Sequence, residues 1–224
     1  MYSLYEQDVL ANLLFAASHG KQGGEQAERL MKCFGSFRNV FAADRHALEK
    51  CGLSASQAAL ILSMRPVARR CATVKFEKNP DLSDRKTLDD YIRALYVGAR
   101  NEQFILLCLN GQGRLIEAQR LSEGTLSGIR MQTRTLMESV VHTGAHSVIF
   151  CHNHPGGQAA FSRADIQSTR AFWAQLKIIG VPLVDHMLYA AGEVVSMREA
   201  CHLNETFFFP ALWQAESGGQ LKKR

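Results

Sequence analysis

Apolar positions in roughly the first seventy residues recur every three or four places, the period of helices with one buried face. Leu10, Leu13 and Leu14 predict a short helix over 8–15, and Gly23-Gly24 is expected to break the chain. Ala27, Leu30, Met31 and Phe34 then mark a helix over 25–34 that Gly35 stops. Asp44 is the expected N-cap of a helix ending at Cys51, with Gly52 beyond it. Ser54 and Gln57 form a Ser-x-x-Gln capping box before Ala58, Leu60, Ile61 and Met64, in a helix that Pro66 would kink. The stretch 71–86 is polar and charged, with Asn79-Pro80 as a turn signal, and is expected to be a linker.

From 87 the pattern changes. Leu88, Tyr91, Ile92, Leu95 and Tyr96 predict a helix over 87–97. The apolar run 102–109, the turn Gly111-Gln112-Gly113 and the run 114–121 predict a hairpin. A helix over 131–143 faces inward through Leu136, Val140 and Val141 and ends at Gly144. A strand over 147–154, an amphipathic helix over 162–179 closed by Gly180, and strands over 181–190 and 193–197 follow. Helices and strands interleave with hairpins present, so the expected fold class is α/β: a mixed-sheet α-β sandwich preceded by a small all-helical domain. The expected division is a helical domain over 1–70, a linker over 71–86, the sandwich over 87–203 and a loosely packed tail over 204–224.

Composition narrows the class. The 224 residues, 46 % hydrophobic and 21 % charged, suit a globular protein with a substantial core. No apolar run approaches the roughly 20 residues of a membrane span, and no basic leader precedes residues 9–17, so the expectation is a cytoplasmic protein without membrane contact. The six cysteines form no CxxC pair and are read as free thiols. Cys151 adjoins His152, but strand alternation turns it to the opposite face, toward the core. The net charge of +5 permits contact with a polyanion without demanding it, and a solvated surface is the favoured reading of the basic residues. The pattern carries no signal of oligomeric state.

The chemistry concentrates after Val148-Ile149-Phe150. His152 and His154 are two apart at a strand end, so both imidazoles face one side. Pro155 and Gly156-Gly157 open a loop, and Ser162-x-x-Asp165 begins the next helix. Two imidazoles and a carboxylate, with a fourth position left over, form the ligand set of a catalytic Zn²⁺ site. Ser162 and Asp165 also have a plainer reading, an N-cap with a first-turn acid. A second candidate lies upstream. The turn Cys51-Gly52-Leu53-Ser54 between two helices resembles half of a helix-hairpin-helix unit, which offers main-chain N–H groups to nucleic-acid phosphate. Ser54 stands where such a unit has its second glycine, so a helical packing module is favoured over DNA contact.

The motif His152-x-His154, ten residues, then Asp165 with Ser162 three before it is similar to that of the JAB/MPN (JAMM) metalloproteases. The nearer resemblance is to the bacterial RadC family, whose HNHPSG…PS..D appears here as HNHPGG…FS..D. Asn101-Glu102-Gln103-Phe104 with its following strand, Gly124-Thr125-Leu126, and Asp185-His186 with Ser196 resemble further family segments. The likeness covers about residues 5–203. It implies a cytidine-deaminase-like JAB/MPN fold, Zn²⁺ held by His152, His154 and Asp165, and a protein or peptide substrate. It also implies that Glu102 takes a proton from the attacking water and passes it to the leaving amine; spacing alone would not select it over Glu117, Glu123 or Glu138. Ser162 is implied to hydrogen-bond the oxyanion, and Asp185 and His186 to stand behind the metal ligands or to serve the structure. Gly156, Phe161 and Asn110 depart from the family's usual Ser, Pro and Asp, which bears on loop shape and substrate fit. The leading expectation is a zinc-dependent peptidase or isopeptidase-like hydrolase. The alternative is a DNA-repair-associated accessory protein that touches DNA through its N-terminal helices and whose metal site is structural or idle.

Overall fold

A computed structural model describes residues 4–18, 23–76, 78–123 and 133–200. The chain divides into two compact units, Met1–Ala72 and Thr73–Arg224. Gly124-Thr125-Leu126 and the tail from 204 lie outside the described residues.

In the first unit α1 (Leu4–Ala17), α2 (Gly23–Phe34), α3 (Phe37–Ala42), α4 (Arg45–Lys50) and α5 (Ala55–Val74) follow one another. Leu10, Leu14, Leu30, Met31, Leu48 and Ile61 meet in one core. Gly23 begins α2 instead of breaking the chain: a Cβ there would stand 2.4 Å from the Ala11 carbonyl oxygen, so the glycine lets α2 press onto α1. The hydrophobic pattern missed α3, which Ser36 caps by accepting from the Asn39 N–H. The helix α5 continues through Pro66 as far as Val74, past the predicted start of the linker.

The rest of that expected linker is tied into the second unit. Leu82 is fully buried, its N–H donates to the Gly113 carbonyl, and the Leu115 N–H donates to Pro80. An apolar side chain amid charges escapes a composition reading. Beyond it α6 (Arg85–Leu95), β1 (Gln103–Leu109), β2 (Leu115–Glu123), α7 (Thr133–Thr143), β3 (Ser147–Asn153), α8 (Arg163–Ile178), β4 (Leu183–Ala190) and β5 (Glu193–Ser196) complete the fold. The sheet order is β2-β1-β3-β4-β5. Among the described strands only β3 and β4 run parallel, joined by α8 as a crossover helix; the other neighbours are antiparallel.

Both faces of the sheet are covered, so β1 and β3 are buried along their whole lengths. Leu88, Tyr91 and Ile92 of α6 pack on Ile105, Leu107, Ile149 and Cys151. Leu136 and Val140 of α7, with Phe172 and Leu176 of α8, pack on Phe104, Leu106, Val148 and Phe150. The protein is an α/β sandwich with a mixed sheet and a helical N-terminal unit. Among the described residues no helix is long and apolar enough to cross a membrane.

Candidate metal centre

The parallel pair and its crossover helix build the site. His152 is the last-but-one residue of β3, and the His154 N–H continues the ladder by donating to the Tyr189 carbonyl of β4 at 3.0 Å. Two-residue alternation therefore holds, and both rings face the side of α8. The chain then turns through Gly156, at φ +75°, where a side chain would be strained. A Cβ at Gly157 would stand 3.0 Å from that of His154, so the turn folds close against the second histidine. It delivers the N-terminus of α8 to the rings.

There Ser162 and Asp165 form a reciprocal capping box. The Asp165 N–H donates to Ser162 Oγ at 3.1 Å, and the Ser162 N–H donates to the Asp165 carboxylate at 2.6 Å. The second carboxylate contact is to the rings: Asp165 Oδ2 lies 3.6 Å from Nε2 of both His152 and His154, which are 3.1 Å from each other. Asp165 is almost wholly buried, which acts to raise its pKa. The His152 ring and the Ser162 N–H and hydroxyl outweigh that burial and hold the carboxyl well below the usual carboxylate range.

Edges of 3.1 to 3.6 Å leave a point about 2.0–2.1 Å from all three donors, just off their plane, which is the bond length of Zn²⁺ to imidazole and carboxylate. The donors also match in chemistry. His154 Nδ1 lies 3.3 Å from the Gln158 carbonyl, which can only accept, so the ring proton sits on Nδ1 and Nε2 keeps its lone pair. His152 and Asp165 are closed off from water, whereas the His154 side chain is 20 % exposed, so the site opens on that side.

Glu102 joins from β1. Phe104 pairs with His152, so the residue two before Phe104 falls on the histidine face. Its carboxylate completes a group with His152, His154 and Asp165 in which the donor atoms all lie within 4.8 Å of one another. Residues 101–103 are gripped by Asn153, the residue between the two histidines. Its Oδ1 accepts from the Gln103 N–H at 2.8 Å and its Nδ2 donates to the Asn101 carbonyl at 3.2 Å. The motif reading passed over Asn153, although a buried amide inside a metal motif was the available signal.

The pair Asp185 and His186 separates. His186 is buried beside the site, with Nε2 2.8 Å from His152 Nδ1 and Nδ1 2.6 Å from Thr169 Oγ1. Burial first, with the His152 ring assisting, pushes its pKa well down, so it is neutral. Asp185 lies on the α6 side with Cys151, away from the position behind the ligands that the sequence suggested. Asp185 precedes His186 in β4, and the alternation that turns His186 toward the ligands turns Asp185 to the other face. It accepts there from the Ser196 hydroxyl and the N–H groups of His186 and Arg198.

Residues 82–203 match the RadC-like JAB domain. This chain belongs to the RadC-like JAB family. A UPF0758 protein of Cellvibrio japonicus is 31 % identical over 200 residues, covering 88 % of each chain. Those of Cupriavidus taiwanensis and Chromobacterium violaceum are 30 % and 31 % identical over 200 and 199 residues, each covering 88 % or more of both chains. The matched segment of the RadC-like family contains Glu102, His152, His154, Ser162 and Asp165.

Proposed function

We propose that this RadC-like protein is a zinc-dependent metallohydrolase that cleaves a peptide or isopeptide amide in a protein or peptide substrate. The observation that carries the reading is the triangle of His152 Nε2, His154 Nε2 and Asp165 Oδ2, sized for Zn²⁺, with the Glu102 carboxylate beside it. Zinc held there would supply Lewis acidity and make a bound water acidic near neutral pH. The chain's own groups do the rest. Glu102 accepts the proton of the attacking water and hands it to the amine that leaves. Ser162 spends an oxygen lone pair on the Asp165 N–H, and its hydroxyl hydrogen is the group that steadies the oxyanion. The partly open His154 side admits the substrate.

Elemental analysis of protein purified without chelator tests the metal, with one zinc per chain expected and zinc-free protein overturning the reading. Glu102→Gln should keep the zinc and stall the chemistry, so substrates accumulate in a proteomic comparison with wild type. Identical proteomes, with the wild-type protein expressed and zinc-loaded, count against hydrolysis.

The DNA-contact reading has the Gly52 turn in its favour, with the Arg29 guanidinium lying over it. The amides of that turn are spent internally. Gly52 donates to Glu49, Leu53 to Leu48 and Ser54 to Gln57 Oε1, at 2.9, 3.3 and 3.0 Å. A phosphate would have to be held by side chains, and a labelled-duplex titration at low salt, compared with Arg29→Ala, tests for it.

A further inference from the structure

The inference rests on the metal-centre reading and extends it behind the ligands. Thr169 stands four residues after Asp165 on α8, and its hydroxyl donates to the Asp165 carbonyl at 2.6 Å. A carbonyl can only accept, so the single hydroxyl proton of Thr169 is committed there. Thr169 Oγ1 is therefore an acceptor toward His186 Nδ1, 2.6 Å away, and that nitrogen carries the His186 proton. The His186 ring is walled by Phe104, Phe150 and Phe161, with ring centroids 5.5, 5.8 and 5.5 Å away, surroundings that disfavour a charged imidazole. A neutral ring with its proton on Nδ1 has a bare Nε2. That nitrogen accepts from His152 Nδ1 at 2.8 Å, which leaves His152 Nε2 unprotonated on the metal side.

We propose that Thr169 and His186 are positioning residues that lock His152 in the tautomer whose Nε2 is ready to bind a metal ion. The chain of bonds starts at the main chain of one ligand, Asp165, and ends on the ring of another, His152. One helix turn thus places the carboxylate and sets the histidine proton. The reverse arrangement, with the proton on His186 Nε2, would put a proton on His152 Nε2 and block the site. Thr169 is what excludes it.

The test uses the full-length protein labelled with ¹⁵N-histidine. In the metal-free wild type, long-range ¹H–¹⁵N spectra should show His152 and His186 both protonated on Nδ1. Zinc affinity is measured by competition with a chromophoric chelator. Thr169→Val removes the hydroxyl at nearly constant shape. It should weaken zinc about 10- to 100-fold and move a share of His152 to the Nε2–H form, as loss of a partner behind a ligand does elsewhere. Thr169→Ser, which keeps the hydroxyl, should restore both readings, which a packing defect would not. A wild-type His152 protonated on Nε2 overturns the proposal, as does a folded Thr169→Val protein with wild-type affinity. Should Thr169→Val not fold, the wild-type spectrum decides alone. Wild-type protein that shows the Nδ1–H tautomers but takes up no zinc overturns the metal-centre reading while the proton arrangement stands.

Discussion

Asn153 holds the main chain on both sides of Glu102. Its carboxamide accepts from the Gln103 N–H and donates to the Asn101 carbonyl. Both partners have fixed roles, so the orientation of the amide is determined as well. The strand that carries the two histidines therefore also sets where the glutamate stands.

Asn153→Ala should leave zinc binding intact and loosen that grip. Losing a buried partner makes local opening about 1–3 kcal/mol easier, which speeds exchange of the Gln103 amide roughly 5- to 150-fold. Hydrogen exchange resolved at Gln103 reads this directly, and an unchanged rate would remove Asn153 from the account of Glu102.

Zinc should stabilise the native chain by mass action. At a free concentration about 100 times Kd the gain is about 2.7 kcal/mol, visible as a higher melting temperature. Glu102→Gln should respond similarly, and His152→Ala combined with His154→Ala should not. A shift that persists in the double variant would mean that zinc binds elsewhere.

Asp185 predicts a pH dependence. Burial pushes its carboxyl up to about 6, against the hydrogen bonds from Ser196, Arg198 and His186 and the charge of Arg85. The folded value lies above the unfolded one of about 3.9, so this stabilisation is complete below about pH 4 and is lost as pH rises through about 6. Relative to Asp185→Asn, wild type should lose at most about 3 kcal/mol between about pH 4 and 7, and less because water reaches part of the side chain. Urea unfolding of both proteins across that range measures it; curves that stay parallel would refute the assignment.

Phe150 anchors the core beneath the site, fully buried and in ring contact with Phe104, Phe172 and His186. Phe150→Ala should cost about 3–5 kcal/mol in urea unfolding, the range for a large side chain removed from a packed interior. A loss below about 1 kcal/mol would mean that the surrounding rings close the gap.

Much of this was legible in the chain itself, because the informative patterns are local. Helical periodicity marked α2, α5, α6 and α8, and alternation placed His152 and His154 on one face with Cys151 on the other. The structure also brings Asp165 to the two histidines across the Gly156-Gly157 turn. What escaped depends on distant pairing or on side chains that carry no chemical signal by themselves. Asn153 meets the neighbours of Glu102 through the β1–β3 ladder, which no spacing encodes. Asp185 was legible too, since a neighbour of His186 in a strand faces the other side of the sheet, but a motif that pairs the two hides that alternation. Thr169 could have been found, since it follows Asp165 by one helical turn, but a threonine in a helix gives no chemical signal until His186 is placed beside it.

The alternation of β3 has a consequence for oxidative chemistry. Cys151 is the residue next to His152, yet the sheet itself lies between its sulfur and the metal donors. Burial first, and the charge of Asp185 with it, pushes the thiol well above its ordinary pKa, so it stays protonated and poorly nucleophilic. The donor set is nitrogen and oxygen throughout. Peroxide or disulfide stress, which empties thiolate zinc sites by converting their ligands to sulfenates and disulfides, finds no sulfur in the donor set that the described residues form. The centre should hold its ion under conditions that strip a cysteine-ligated one.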